Sequence, residues 1–224
     1  MPEVAAERGQ REQRDMLDAF VDHVMSFVDV SALKPMRVVA DTANGMGGLV
    51  VPALFERLPM IELEVMYGEL DGTFPNHPAD PLQPANQRDL QARVVSGGFD
   101  LGLAFDGDAD RVFIVDEKGV GLSGSMTTAI LAVAMLRNHP GSTILHNLIC
   151  SKAVPETISA HGGNPVRTRV GHSYIKTEMA SRNAVFGGEH SAHYYFADNF
   201  NADSGLIASL IMISELARSG STLS

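Results

Sequence analysis

The sequence predicts an α/β protein of two similar domains, each a small mixed, largely parallel sheet flanked by helices. Three observations carry this. Short apolar runs of strand length alternate with stretches of helical periodicity along the chain, the order expected of parallel pairing. That order restarts after Asn138-His139-Pro140-Gly141, a breaker cluster suited to a boundary. The chain has 224 residues of which 45% are hydrophobic, enough for two modest cores and too apolar for disorder. The division is therefore a disordered N-terminus at 1–10, a first domain at 11–138 and a second at 139–224.

The elements follow in order. From Arg11 to about Asp29, apolar residues recur at helical spacing: Leu17, Phe20, Val21, Val24 and Val28. A short strand at Arg37–Ala40 leads into a glycine-rich turn, Asp41 to Gly48, and a helix. Ile61 to Tyr67 alternates like a strand. Pro75, Pro78, Pro81 and Pro84 make 68–84 a loop. A helix is expected at Gln87–Ser96, strands at Leu101–Phe105 and Val112–Val115, and a helix from about Met126 to Arg137. In the second half, strands are expected at Thr143–His146, Val166–Val170, Ala184–Phe186 and Tyr194–Phe196. Helices are expected at Lys152–His161, Ser173–Ser181 with Ser173 as N-cap, and Asp203–Ala217.

The chemistry concentrates in Phe105-Asp106-Gly107-Asp108-Ala109-Asp110-Arg111. The strands on either side pin this loop, so its three carboxylates must converge. Two unit charges about 4 Å apart repel by roughly 4 kcal/mol at an effective dielectric of about 20. Asp106, Asp108 and Asp110 therefore read as ligands of a hard divalent cation: magnesium, or less specifically calcium or manganese. An EF-hand is disfavoured, because Arg111 stands where that loop requires glycine. The aspartate spacing also fits a haloacid-dehalogenase-type nucleophile, but the lysine and second acidic motif of such enzymes are not evident. The turn at 41–48 lacks the lysine of a P-loop and reads as structural.

Composition narrows the partners. A formal net charge of −10 argues against nucleic acid and against an anionic membrane surface. The single cysteine, Cys150, allows no intrachain disulfide and reads as an inert buried thiol, as suits a cytoplasmic protein. No apolar run has the length to span a bilayer.

Four segments occur in a telling order: Phe74-Pro75-Asn76-His77-Pro78-Ala79-Asp80-Pro81, the acidic loop, Gly171-His172-Ser173-Tyr174-Ile175-Lys176, and Gly188-Glu189-His190-Ser191-Ala192-His193. Together they resemble the α-D-phosphohexomutase superfamily, which includes the phosphomannomutases and phosphoglucomutases. The resemblance runs from about Gln10 to the C-terminus. It implies the second and third of four domains, the first of these carrying the metal and the other reading the sugar. The phosphorylated-serine loop of the family's first domain and the phosphate-gripping loop of its fourth have no counterpart in these residues.

Carried over residue by residue, the resemblance implies magnesium on Asp106, Asp108 and Asp110. Arg111 would hold the phosphoserine or the transferring phosphoryl group, His193 would act as general acid/base, and Lys152 would reach the sugar from a helix start. Glu189 and Ser191 would bind sugar hydroxyls, and Gly171 and His172 would touch substrate near its phosphate. Family loops often have glycine at Ala109 and at Ala192, and methionine at His190; the alanine at Ala192 points weakly toward bacterial phosphomannomutases. The implied activity is interconversion of hexose 6-phosphate and hexose 1-phosphate through a phosphoserine and a bisphosphate, with mannose the favoured hexose. Phosphoglucomutase and phosphoglucosamine mutase remain alternatives. A chain truncated in this way is expected to be inactive alone, to need a second chain supplying the missing domains, or to serve as a non-catalytic sugar-phosphate and metal-binding module.

Overall fold

The computed structural model describes residues 9–224, so most of the expected disordered N-terminus lies outside the described residues. The elements are α1 (Leu17–Met25), β1 (Met36–Asp41), α2 (Gly47–Glu56), β2 (Ile61–Met66), α3 (Arg88–Gly97), β3 (Leu101–Phe105), β4 (Val112–Val115) and α4 (Gly124–Asn138). Then come β5 (Thr143–Asn147), α5 (Ala153–Ala160), β6 (Asn164–Thr168), α6 (His172–Arg182), β7 (Phe186–Gly188), β8 (Tyr194–Phe196), β9 (Ala202–Asp203) and α7 (Gly205–Ser219).

The two sheets repeat one topology. The first has the order β2-β1-β3-β4 and the second β6-β5-β7-β8-β9. In each, three parallel strands are followed by an antiparallel one, and the second sheet adds β9 at its edge. Parallel strands need both faces covered, which explains why β3 (LGLAF) reads as an unbroken apolar run and is buried throughout.

One apolar cluster runs through both halves, from Val38, Leu103 and Ile114 to Ile144, Phe186 and Leu210. Helix α7 joins them: it packs against α4, α1 and β4, and Leu206, Ile207, Leu210, Met212 and Ile213 are all buried. Each such side chain contributes about 1.5–3 kcal/mol of burial, so α7 resists separation of the halves. Helix α4 packs mainly on α5 and β7. A smaller cluster of Leu145, Ile175, Met179, Ala184 and Tyr195 seats α6 on the second sheet. Among the described residues, no helix is long and apolar enough to cross a membrane.

Several expected boundaries shift. Helix α1 starts at Leu17 instead of Arg11, because residues 11–16 offer no apolar face to bury. Ser173 lies inside α6; the N-cap is Gly171, whose positive φ of 124° turns the chain sharply into the helix. The strand expected at Ala184–Phe186 sits at Phe186–Gly188, where its register places Phe186 beside Ile144. Helix α7 begins after Asp203, because Ser204 accepts a hydrogen bond from Ile207 N at 3.2 Å and caps it, leaving Asp203 to pair as strand with Tyr195.

Candidate active site and metal centre

In open α/β sheets, ligand sites collect beyond the carboxyl ends of the strands. Here Asp41 ends β1, the acidic loop follows β3, Asn147 ends β5, Gly171 and His172 follow β6, and Glu189 follows β7.

The acidic loop bridges the antiparallel pair β3–β4. One carboxylate oxygen from each of Asp106, Asp108 and Asp110 lies within 4.8 Å of the other two. Asp106 is buried, and its oxygens accept from Arg111 N at 3.1 Å and Arg111 Nε at 2.7 Å. Asp108 is exposed. Burial, and then the charge of Asp106, push the Asp110 carboxyl up to about 6. The donors are all oxygen, they converge, and accumulated negative charge is resisted there, so the three aspartates suit a magnesium-like cation.

The loop rests on two supports. Met46 N donates to Gly107 O at 2.9 Å, and a Cβ on Gly45 would stand 2.5 Å from that oxygen, so the turn after β1 must carry glycine at this point. That turn in turn holds the proline-rich loop. Asn44 donates to Glu69 O and accepts from Asn76 Nδ2, both at 2.8 Å, while Asp41 Oδ2 lies 2.9 Å from His77 Nε2. The same loop brings Asp80 Oδ1 to 3.6 Å from Arg111 Nη1. Ala109 has φ 63°, a left-handed conformation that costs an L-residue about 1–2 kcal/mol, and Ala192 has φ 68°. Glycine is the easier residue at both places.

The turn after β7 meets the acidic loop directly, for Arg111 and His193 form an isolated antiparallel main-chain bridge. His193 Nδ1 lies 2.9 Å from Asp203 Oδ2 and 3.7 Å from Asp110 Oδ1. His172, at the start of α6, points its Nδ1 to the same Asp203 oxygen at 3.1 Å, and Lys176 Nζ reaches Asp203 Oδ1 at 3.2 Å. Burial opposes charge on Asp203, but its hydrogen bonds from His193 and Lys176 outweigh burial and hold the carboxyl at about 2.

Glu189 is placed differently from an open sugar ligand. It is 1% exposed. Its oxygens accept from Asn147 Nδ2 at 3.1 Å, Gly171 N at 3.2 Å and Tyr195 OH at 2.9 Å. It thereby ties β5, the start of α6 and β8 together. Ser191 is half-buried in the same turn. Lys152 is exposed at the N-cap of α5, where its carbonyl accepts from Glu156 N at 3.2 Å, and its side chain makes no hydrogen bond or ion pair among the described residues. Cys150 is half-buried, its thiol against Gly188 O at 3.8 Å, and burial raises its pKa, in keeping with an unreactive thiol.

The structure thus gathers Asp106, Asp108, Asp110, Arg111, His172 and His193 at one seam, sets Gly171, Glu189 and Ser191 beside it, and leaves Lys152 outside the hydrogen-bonded network. Sequence reasoning missed Asp203, Lys176, Asn147 and Asp41. Two of them carried a signal: Lys176 closes one of the four telling segments, and Asp41 is the polar end of an apolar strand before a glycine-rich turn.

Comparison with known proteins gives a consistent picture. Residues 18–119 match the family model for phosphoglucomutase/phosphomannomutase alpha/beta/alpha domain II, and residues 123–224 match domain III. The chain is 37% identical to a phosphomannomutase of Salmonella montevideo, over 97% of this chain and 49% of that protein. It is 39% identical to a phosphomannomutase of Escherichia coli K12, over 92% and 46%. A crystal structure of a phosphoglucomutase/phosphomannomutase family protein from Burkholderia thailandensis superposes with TM-score 0.85 at 31% identity, covering 92% of this chain and 45% of that one. The chain spans about half the length of the curated relatives it matches.

Proposed function

The chain belongs to the phosphoglucomutase/phosphomannomutase family, and from that membership we propose that it forms the metal- and sugar-binding part of a phosphohexomutase that prefers mannose phosphates. Such an enzyme moves a phosphoryl group between the 6- and 1-positions of a hexose. The observation that carries this reading is the Arg111–His193 bridge, which sets the aspartate loop and the histidine turn on one seam.

In this reading Asp106, Asp108 and Asp110 hold magnesium, which when bound neutralises phosphate oxygens during transfer. The Arg111 guanidinium, aligned by Asp106, presents its remaining N–H groups to phosphate oxygens. His193 has Nδ1 committed to Asp203, which leaves Nε2 to exchange a proton with a sugar hydroxyl. Gly171, His172, Glu189 and Ser191 surround the sugar, with Glu189 exchanging some of its present partners for hydroxyls when substrate enters. Lys152 swings in from the rim. The preference for mannose rests on the Salmonella and Escherichia relatives named phosphomannomutase and on Ala192. Other relatives of similar identity carry the broader name phosphohexose mutases.

Calorimetry tests the reading. Mannose 1-phosphate is expected to bind the 224-residue polypeptide in a magnesium-dependent way, more tightly than glucose 1-phosphate, and Arg111→Ala is expected to abolish binding. No binding of either sugar phosphate would overturn it. Because these residues carry no phosphorylatable serine loop, the polypeptide by itself is expected to show no turnover of mannose 1-phosphate with a bisphosphate activator. A second polypeptide supplying that loop should restore it.

A further inference from the structure

Two imidazole nitrogens aim at a single carboxylate oxygen. Asp203 Oδ2 lies 2.9 Å from His193 Nδ1 and 3.1 Å from His172 Nδ1, and Asp110 Oδ1 lies 3.7 Å from His193 Nδ1. One ligand atom from each of Asp110, His172, His193 and Asp203 belongs to a set whose members all lie within 4.8 Å of one another. A tetrahedral ion bonded to nitrogen and oxygen at about 2.0–2.1 Å holds its ligand atoms about 3.3–3.4 Å apart. The three measured spacings straddle that value. The imidazole planes cross at 74° with centroids 4.2 Å apart, an edge-on arrangement compatible with convergence on Asp203. Lys176 occupies the other Asp203 oxygen, so Oδ2 is the one turned to the rings.

We propose that Asp110, His172, His193 and Asp203 form a second cation site, selective for a borderline divalent transition ion such as zinc and adjoining the all-oxygen aspartate loop, with which it shares Asp110. The donor set decides the ion. Two imidazoles and two carboxylates supply two nitrogen and two oxygen donors to a dication, with Lys176 as a further cation on Asp203. Imidazole nitrogen favours zinc or cobalt, whereas magnesium prefers six oxygen ligands in near-octahedral geometry. Asp106 and Asp108 take no part, so the two sites meet only at Asp110. Binding of the ion rests on this geometry alone. Its consequence, inhibition, rests on the mutase reading: the ion would fix both rings and remove Asp203 as the partner of the His193 Nδ1 proton.

The test is zinc calorimetry on the 224-residue protein in excess magnesium, with cobalt as a spectroscopic substitute. One zinc ion per chain is expected to bind despite the magnesium, and cobalt should give the strong visible absorption of a tetrahedral nitrogen–oxygen site. His172→Ala and His193→Ala should each weaken zinc by about tenfold or more, and Asp108→Asn should leave it unchanged. His172 has a half-exposed side chain, so its replacement spares the core even where that of His193 does not. Zinc affinity unchanged in His172→Ala would overturn the proposal. So would zinc that magnesium displaces and Asp108→Asn abolishes, since the ion would then occupy the aspartate loop. Failure of the mutase reading would appear separately, as absent sugar-phosphate binding.

Discussion

Arg111 and His193 pair through their main chains, so the loop after β3 and the turn after β7 cannot move independently. Helix α7 reinforces this: Gly205 N donates to Ala109 O at 3.2 Å, and a Cβ on Gly205 would stand 2.8 Å from the carbonyl oxygens of Ala109 and Arg111. The residues proposed to hold metal and those proposed to read sugar are therefore positioned by one another, and small changes at the seam should register at both.

Asp108 offers the cleanest test of the metal assignment. It is exposed, so Asp108→Asn removes a charge without opening the core. Magnesium binding is expected to weaken by at least about tenfold, roughly 1.4 kcal/mol, while the circular dichroism spectrum and melting temperature stay unchanged. Calorimetry showing full affinity in this variant would remove Asp108 from the ligand set.

Gly45 should prove as important as any polar residue. A methyl group there meets the Gly107 backbone at 2.5 Å, and backbone cannot rotate aside as a side chain can. Gly45→Ala is expected to destabilise the protein by about 1–3 kcal/mol in urea titrations and to loosen magnesium by displacing the aspartate loop. Gly72→Ala is the control, since nothing lies within 4 Å of its Cβ position. Equal stability of the two variants would mean that the turn does not support the loop.

These cases mark what was legible in the sequence. The strand–loop–strand around Asp106, Asp108 and Asp110 is readable because strict apolar flanks bound a short run of like charges, and repulsion within such a run demands an explanation. The parallel strand β3 is readable for a related reason: it is short, apolar and bounded by Gly98 before it and Gly107 after it, whereas β5 (TILHN) is marked mainly by the Pro140-Gly141 breaker that precedes it. Asp203 is hidden, because it sits on a two-residue strand that exists only by pairing with β8, and nothing local distinguishes it from the start of a helix. The role of Glu189 as a buried anchor is hidden too, because its partners Asn147, Gly171 and Tyr195 come from three elements that only the folded sheet brings together. The left-handed backbone at Ala109 and Ala192 shows why glycine suits those positions, which the resemblance could state but not explain.

Glu189→Ala should test the anchor. Removing the carboxylate strands three donors in a buried place, at a cost of about 1–3 kcal/mol for an unsatisfied group. A loss of about 3 kcal/mol or more in urea titration is expected. Glu189→Gln keeps the shape and one acceptor, and should lose less. If the alanine variant unfolds at the wild-type midpoint, Glu189 is not a structural anchor.

The last expectation concerns pH. Burial by itself would lower the pKa of His77, but the Pro78 carbonyl and the Asp41 carboxylate more than compensate, so the net shift is upward from 6.5. A folded pKa above the unfolded one means that the native state binds the proton more tightly. The stabilisation is therefore fully present below the unfolded value of 6.5 and disappears as pH rises through the folded value. His77→Asn removes this contribution. The melting-temperature difference between wild type and His77→Asn should be largest at about pH 6 and shrink by about pH 8, as expected for an imidazole titrating in that range. Because His77 holds the proline-rich loop to Asp41, which ends β1, protease nicking within 74–80 should accelerate over the same interval. A difference that stays flat with pH would show that the pair does not depend on a charged imidazole.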